Sequence, residues 1–92
     1  MSYELIYAKR AERDFVDIFD YIAQDSIGSA IQYTENLRVR LNRLMESPRI
    51  GIMKDGKDLE RILIVDKHKV HYRIISNKEQ VLIRYIKHEK QR

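Results

Sequence analysis

The residues of this chain that could do chemistry crowd toward its end. In the closing stretch VHYRIISNKEQVLIRYIKHEKQR, strand-like text carries Arg73, Arg84, Lys87, His88, Lys90 and Arg92, and Arg61 stands just upstream in LERILIV. Guanidinium groups clamp phosphate through paired N–H donors and stabilise negative charge that develops in a transition state. A histidine beside them donates or accepts a proton near neutral pH. Arg61, Arg84 and His88 together would outline a metal-free ribonuclease, with the RNA 2′-hydroxyl as the attacking nucleophile. Arg61, Arg73, Arg84, Lys87, His88 and Lys90 would equally form a surface for an anionic target or an acidic protein. A plainer alternative is that strand arginines pair with carboxylates and that lysines keep edge strands soluble. Register decides among these, because a one-residue slip sends every side chain to the opposite face.

Other chemistries lack their residues. There is no cysteine, which removes disulfides and thiolate metal sites and suits a reducing compartment. His68 and His71 lie near a probable turn without a metal-ligand pattern, and no HEXXH, GxGxxG, P-loop or Gly-x-Ser-x-Gly motif occurs. The expectation is therefore no metal and no cofactor. The start, MSYELIYAKRAERDF, has Glu4 before its base-rich segment, the wrong order for a secretory signal. No apolar run approaches the roughly 18 residues that cross a bilayer. A cytoplasmic protein without membrane contact is expected. Charge is uneven: residues 1–48 sum to −2 and residues 49–92 to +6. A basic half of that size speeds encounter with nucleic acid or an acidic protein.

These candidates need elements to position them, and the 92 residues suffice for one domain. Tyr3 to Tyr7 is a short alternating β-type run. From about Lys9 to Gln24, Ala11, Phe15, Ile18 and Ile22 recur on one face of a helix, while Asp14, Asp17 and Asp20 fall elsewhere and read as solvated. QDSIGS interrupts, with Gly28 available for a positive φ. A second helix is predicted from roughly Ser29 to Ser47, with Ser29 and Gln32 at capping-box spacing and Ala30, Thr34, Leu37, Leu41 and Leu44 facing inward. The short link makes the pair an antiparallel hairpin. SPRIGIMKDGKD reads as a loop, punctuated by Pro48, Gly51 and Gly56. Three strands then follow as an antiparallel meander: LERILIV, KVHYRII and QVLIRYIKH. Strict alternation puts Val81, Ile83 and Tyr85 on one side of the last strand and Leu82, Arg84, Ile86 and His88 on the other. The expected fold is α+β, β-α-α-β-β-β, with the helices covering one face of a curved, mainly antiparallel sheet.

AERDFVDIFDYIAQ, SPRIG, ERILIVDKHKVHYRII and VLIRYIKHEKQR, in that order and spacing, resemble the ParE branch of the RelE/ParE toxin superfamily across nearly the whole chain. An A-x-x-D-F-x-x-I-x-x-Y-I pattern runs from Ala11 to Ile22. A Pro-x-x-Gly follows as Pro48 and Gly51, and Arg61 opens a strand. HYRI forms the next strand, and His88 closes the sheet. The resemblance implies a toxin of a bacterial type II toxin–antitoxin module, neutralised by an antitoxin segment that orders on binding. It also implies one of two targets. ParE-like members stall DNA gyrase on cleaved DNA without being enzymes. RelE-like members cut messenger RNA on the ribosome, using lysine, arginine and often a tyrosine or histidine near the C-terminus. EKQR after His88 supplies no terminal tyrosine, and Arg38, Arg40 and Arg43 stand where the nucleases carry a lysine-rich helix. These departures favour gyrase as the expected target, with the nuclease as the alternative.

Overall fold

A computed structural model describes residues 2–89 of the protein. Two helices pack on a five-stranded mixed sheet. The elements are β1 (Glu4–Tyr7), α1 (Lys9–Ala23), α2 (Ile27–Asn42), β2 (Ile52–Lys54), β3 (Lys57–Val65), β4 (His68–Ile75) and β5 (Gln80–His88). Strand order is β1-β5-β4-β3-β2; β1 runs parallel to β5, and the other three pairings are antiparallel.

The apolar spacing of each helix becomes its buried stripe. Ala11 and Phe15 of α1, and Ala30, Leu37 and Leu41 of α2, are buried, with Leu44 beyond. All of these but Ala30 form one core with Leu63, Val65, Val70, Tyr72, Ile74, Val81, Ile83 and Ile86 from one face of the sheet. Burying a side chain of this kind contributes roughly 1.5–3 kcal/mol, enough in sum to fold a small domain. No helix among the described residues is long and apolar enough to cross a membrane.

Four expectations change. The helix-2 cap is Ser26, whose Oγ accepts from the Ser29 amide at 3.1 Å, so Ser29 lies inside the helix rather than capping it with Gln32. Gly28 is helical there too, and Gly56, at φ 72°, is the glycine that uses a left-handed backbone. The α-helix stops at Asn42 and tightens into a 3₁₀ turn over Arg43–Met45. Most important, the segment read as a loop contains β2. Asp55 and Gly56 both have positive φ between Lys54 and Lys57, the geometry of a two-residue hairpin turn.

The Pro48–Gly51 turn is fastened to the sheet. The Tyr72 hydroxyl, buried at the centre, donates to the Pro48 carbonyl at 2.6 Å and accepts from the Gly51 amide at 3.0 Å. A Cβ on Gly51 would fall 2.6 Å from that hydroxyl and 2.8 Å from the Ile62 carbonyl, so the site takes no side chain.

Candidate functional site

Strand pairing divides the late cations between two faces. Arg61 lies opposite Tyr72 and therefore on the core side. Its Nη1 donates to the carbonyls of Gly51 at 2.8 Å and Arg49 at 3.1 Å, and its Nε to that of Asp58 at 2.8 Å. Its Nη2 pairs with the Asp58 carboxylate, which also takes Arg49. Hydrogen bonds from Arg49 and then Arg61 hold the Asp58 carboxyl below its ordinary range. With 11% of its side chain exposed, Arg61 is a staple for the β2–β3 corner.

Arg84 takes a different course because β5 bulges. His71 pairs with Tyr85, but the next residue, Tyr72, pairs with Ile83, which leaves Arg84 as an extra residue without a partner. An inserted residue reverses the alternation beyond it. Ile86 thus joins Val81 and Ile83 in the core, whereas strict alternation had put it on the other side. The bulge breaks the ladder, and the Ile86 amide donates to the Asp14 carboxylate of α1 at 2.8 Å. Asp14 is therefore not solvated as its spacing suggested. It takes the place of a strand beyond the end of β1, since a buried N–H needs an acceptor.

The face away from the helices collects the rest. Glu60 on β3 pairs in register with Arg73 on β4, and its carboxylate accepts from Arg73 Nε at 2.5 Å and Arg84 Nη1 at 3.1 Å. Burial alone would raise the Glu60 carboxyl, but the hydrogen bond and charge of Arg73, reinforced by Arg84, hold it below the usual carboxylate range. Side-chain exposure is 49% for Arg73 and 38% for Arg84, so both present donors to solvent. Lys54, Asp55, Lys57, Glu60, Arg73 and Arg84 line a cleft of about 230 Å³.

Next to the cleft stands Tyr85. His71 stacks on it with ring centroids 4.4 Å apart, the Arg10 guanidinium lies 4.5 Å from its centroid, and Lys54 Nζ donates to its hydroxyl at 3.2 Å. Lys87 Nζ is 5.4 Å from the same ring. His71 is held down to about 4, first by burial and then by the charges of Lys54, Lys87, Lys69 and Arg84. It is neutral at pH 7 inside a positive field. Lys69 and Lys87 stand directly opposite each other in register, a like-charge pairing that disfavours the sheet itself.

His88 is on the other side. It pairs in register with His68, whose ring it meets edge-on at 5.3 Å, and His68 Nδ1 shares a 2.6 Å hydrogen bond with the Tyr33 hydroxyl of α2. Burial, then the neighbouring His88, lowers the His68 pKa. The structure brings Arg73, Arg84 and Lys87 together; Arg61 and His88 are on the opposite face, and Lys90 lies outside the described residues. Arg84 and His88 do not share a face because the bulge separates them. Lys54, Glu60, His71 and Tyr85 join the cationic face without having been singled out for it. The Asp-Gly pair at 55–56 was the available signal for Lys54, since it marks a hairpin rather than a loop. Among the described residues no cluster of ligands could hold a metal ion.

Comparison with known proteins places this geometry. No curated protein matches the sequence. The chromosomal ParDE toxin–antitoxin system of P. aeruginosa contains a chain similar in structure, with a TM-score of 0.78 at 15% identity, over 95% of this chain and 96% of that one. A chain of the E. coli RelBE toxin–antitoxin complex gives 0.69 at 21% identity, over 99% and 100% of the two. The isolated E. coli RelE toxin gives 0.71 at 20% identity, over 99% and 88%. These likenesses establish the fold. The sequence itself matches the model for the ParE toxin of type II toxin–antitoxin systems, parDE, over residues 5–92. With nearly its whole length covered by that match, the chain belongs to the ParE toxin family of type II toxin–antitoxin systems.

Proposed function

We propose that this toxin arrests growth by poisoning DNA gyrase in the cytoplasm, without catalysis of its own, and that a cognate antitoxin neutralises it. The observation that carries the reading is the division of cations between the two sheet faces. Exposed Arg73 and half-buried Arg84, Lys54 and Lys87 form a cationic surface suited to a target made of protein and DNA. Arg61 and His88, which a nuclease built on Arg61, Arg84 and His88 would need beside Arg84, face the other way. Catalysis requires a complete constellation in one place. Anionic DNA and a basic face also make the encounter fast and salt-sensitive.

The antitoxin reading rests on the helices. Val16, Tyr21, Ile27, Ile31 and Val39 are exposed large apolar residues, and Phe15, Val16, Phe19, Thr34 and Arg38 line a second cleft of about 230 Å³. An amphipathic segment that orders on binding would cover such apolar surface while its acidic groups meet the basic half.

One observation favours a second reading, a ribosome-dependent endoribonuclease. Lys54, Tyr85, Arg84 and His71 converge on the open face, a different set from the one the sequence suggested. Purified toxin tested on gyrase separates the readings: cleaved-DNA complexes should accumulate and supercoiling should stop. Undisturbed supercoiling at saturating toxin, together with new message ends in a translating extract, would establish the nuclease instead.

A further inference from the structure

The cleft on the open face sets Lys54, Lys57, Arg73 and Arg84 beside two carboxylates, Asp55 and Glu60, and Glu60 already fills its arginines with the protein's own anion. Glu60 sends one carboxylate oxygen to Arg73 and the other to Arg84. A phosphodiester likewise offers two terminal oxygens that accept from separate guanidiniums. Lys54 and Lys57 stand at the rim with no carboxylate contact within ion-pair distance among the described residues. Beyond the cleft, the opposed Lys69 and Lys87 continue the positive surface along β4 and β5. Like charges placed opposite one another cost stability unless an anion settles between them. The pKa of neighbouring His71 is depressed first by its burial and then by the charges of Lys54, Lys87, Lys69 and Arg84.

From this geometry we infer that the cleft lined by Lys54, Asp55, Lys57, Glu60, Arg73 and Arg84 is a phosphodiester site of nucleic acid, with Glu60 as an internal stand-in that the incoming phosphate displaces. The inference deepens the reading of this face as the target surface and rests on it. A track of cations along two strands suits a repeating anionic backbone better than a single acidic side chain. While Glu60 occupies the arginines it holds both guanidiniums toward the cleft. An entering phosphate must break two ion pairs, so affinity is held down in the resting toxin.

The sign of one substitution tests this. Fluorescence anisotropy of labelled single-stranded DNA and RNA dodecamers of matched sequence, and of an acidic peptide of equal length, is measured with full-length toxin at fixed salt. Glu60→Gln should tighten oligonucleotide binding roughly threefold to tenfold, because one competing charge is gone. Arg84→Ala should weaken binding, and Glu60→Gln/Arg84→Ala should show none of the gain. Tightening on DNA alone or RNA alone names the source of the phosphodiester; tightening on both supports the shared chemistry. Unchanged or weaker oligonucleotide binding by Glu60→Gln, with the melting temperature retained, would overturn the inference, as would tightening confined to the acidic peptide. Gyrase trapping by the wild-type toxin is read in parallel. Trapping without the Glu60→Gln gain sinks the inference alone, and the gain without trapping sinks only the gyrase reading.

Discussion

Arg61 and Arg84 begin as equals, two arginines in neighbouring strand-like segments, and end with opposite tasks. Arg61 is turned toward the core and spends its donors on three backbone carbonyls and Asp58. Arg84 sits on a bulge, touches one carboxylate shared with Arg73, lies 5.9 Å from the Tyr85 ring, and keeps 38% of its side chain exposed. A guanidinium whose donors are filled by its own chain stabilises the fold; one with unfilled donors on an exposed face is available to a partner. The same contrast separates the two sheet faces. One is closed by α1, α2 and the Pro48–Gly51 turn, and the other is left cationic.

The contrast predicts its largest effect at Arg61. Arg61→Ala should lower stability by about 2–4 kcal/mol, since it removes the donors of three backbone carbonyls at a tight corner, while Asp58 keeps its pair with Arg49. Chemical denaturation would show it, and Arg84→Ala in the same assay should stay within about 1 kcal/mol because exposed pairs contribute little. Equal losses in the two variants would erase the distinction between the faces. Tyr72→Phe comes next, at about 1–3 kcal/mol, because it removes the hydroxyl that satisfies the Gly51 amide inside the core. Its denaturation midpoint should fall without any change in the exposed face.

How much of this was legible in the sequence follows from where each signal resides. The helix stripes through Phe15 and Leu37 were plain, because a periodic burial pattern is written over many residues. The order of the three long strands was equally plain from their turns. The bulge was not. VLIRYIKH is apolar at both parities, so nothing local marks Arg84 as the inserted residue, and the reversal at Ile86 depends on pairing with β4. Asp14 differs for a related reason: it stands at the flank of the apolar stripe, three residues after Ala11 and four before Ile18, and its acceptor role arises only once β1 has ended beside β5. Arg61 was noticed for its charge, yet charge type alone does not tell a staple from a site. What tells them apart is three carbonyls, those of Arg49 and Gly51 in the preceding turn and that of Asp58 on its own strand, brought together by the folded corner.

The burial of His71, reinforced by the cations around it, gives a pH test of middle size. His71 has a folded pKa of about 4, below the ordinary histidine value near 6.5. Between these values the unfolded chain binds a proton that the folded chain refuses, so the stability due to neutral His71 is complete above about pH 6.5 and is lost progressively toward pH 4. Melting temperature should fall from pH 7 to pH 5, and His71→Phe, which keeps a ring against Tyr85, should flatten that fall. An identical slope in the variant would remove His71 from the account. The smallest effect is expected at Lys69→Gln, which relieves the repulsion with Lys87 and should stabilise the sheet by a few tenths of a kcal/mol. A loss of stability there would mean that the opposed lysines are not in conflict.

The central claim, that the open face carries the toxin's action while the covered face carries its fold, meets its most direct test in a gyrase cleavage-complex assay with the wild type and Arg73→Ala/Arg84→Ala. The wild type should accumulate cleaved-DNA complexes and the double variant should not, although its melting temperature stays within about 4 °C of the wild type's. A double variant that traps gyrase as fully as the wild type would contradict the claim.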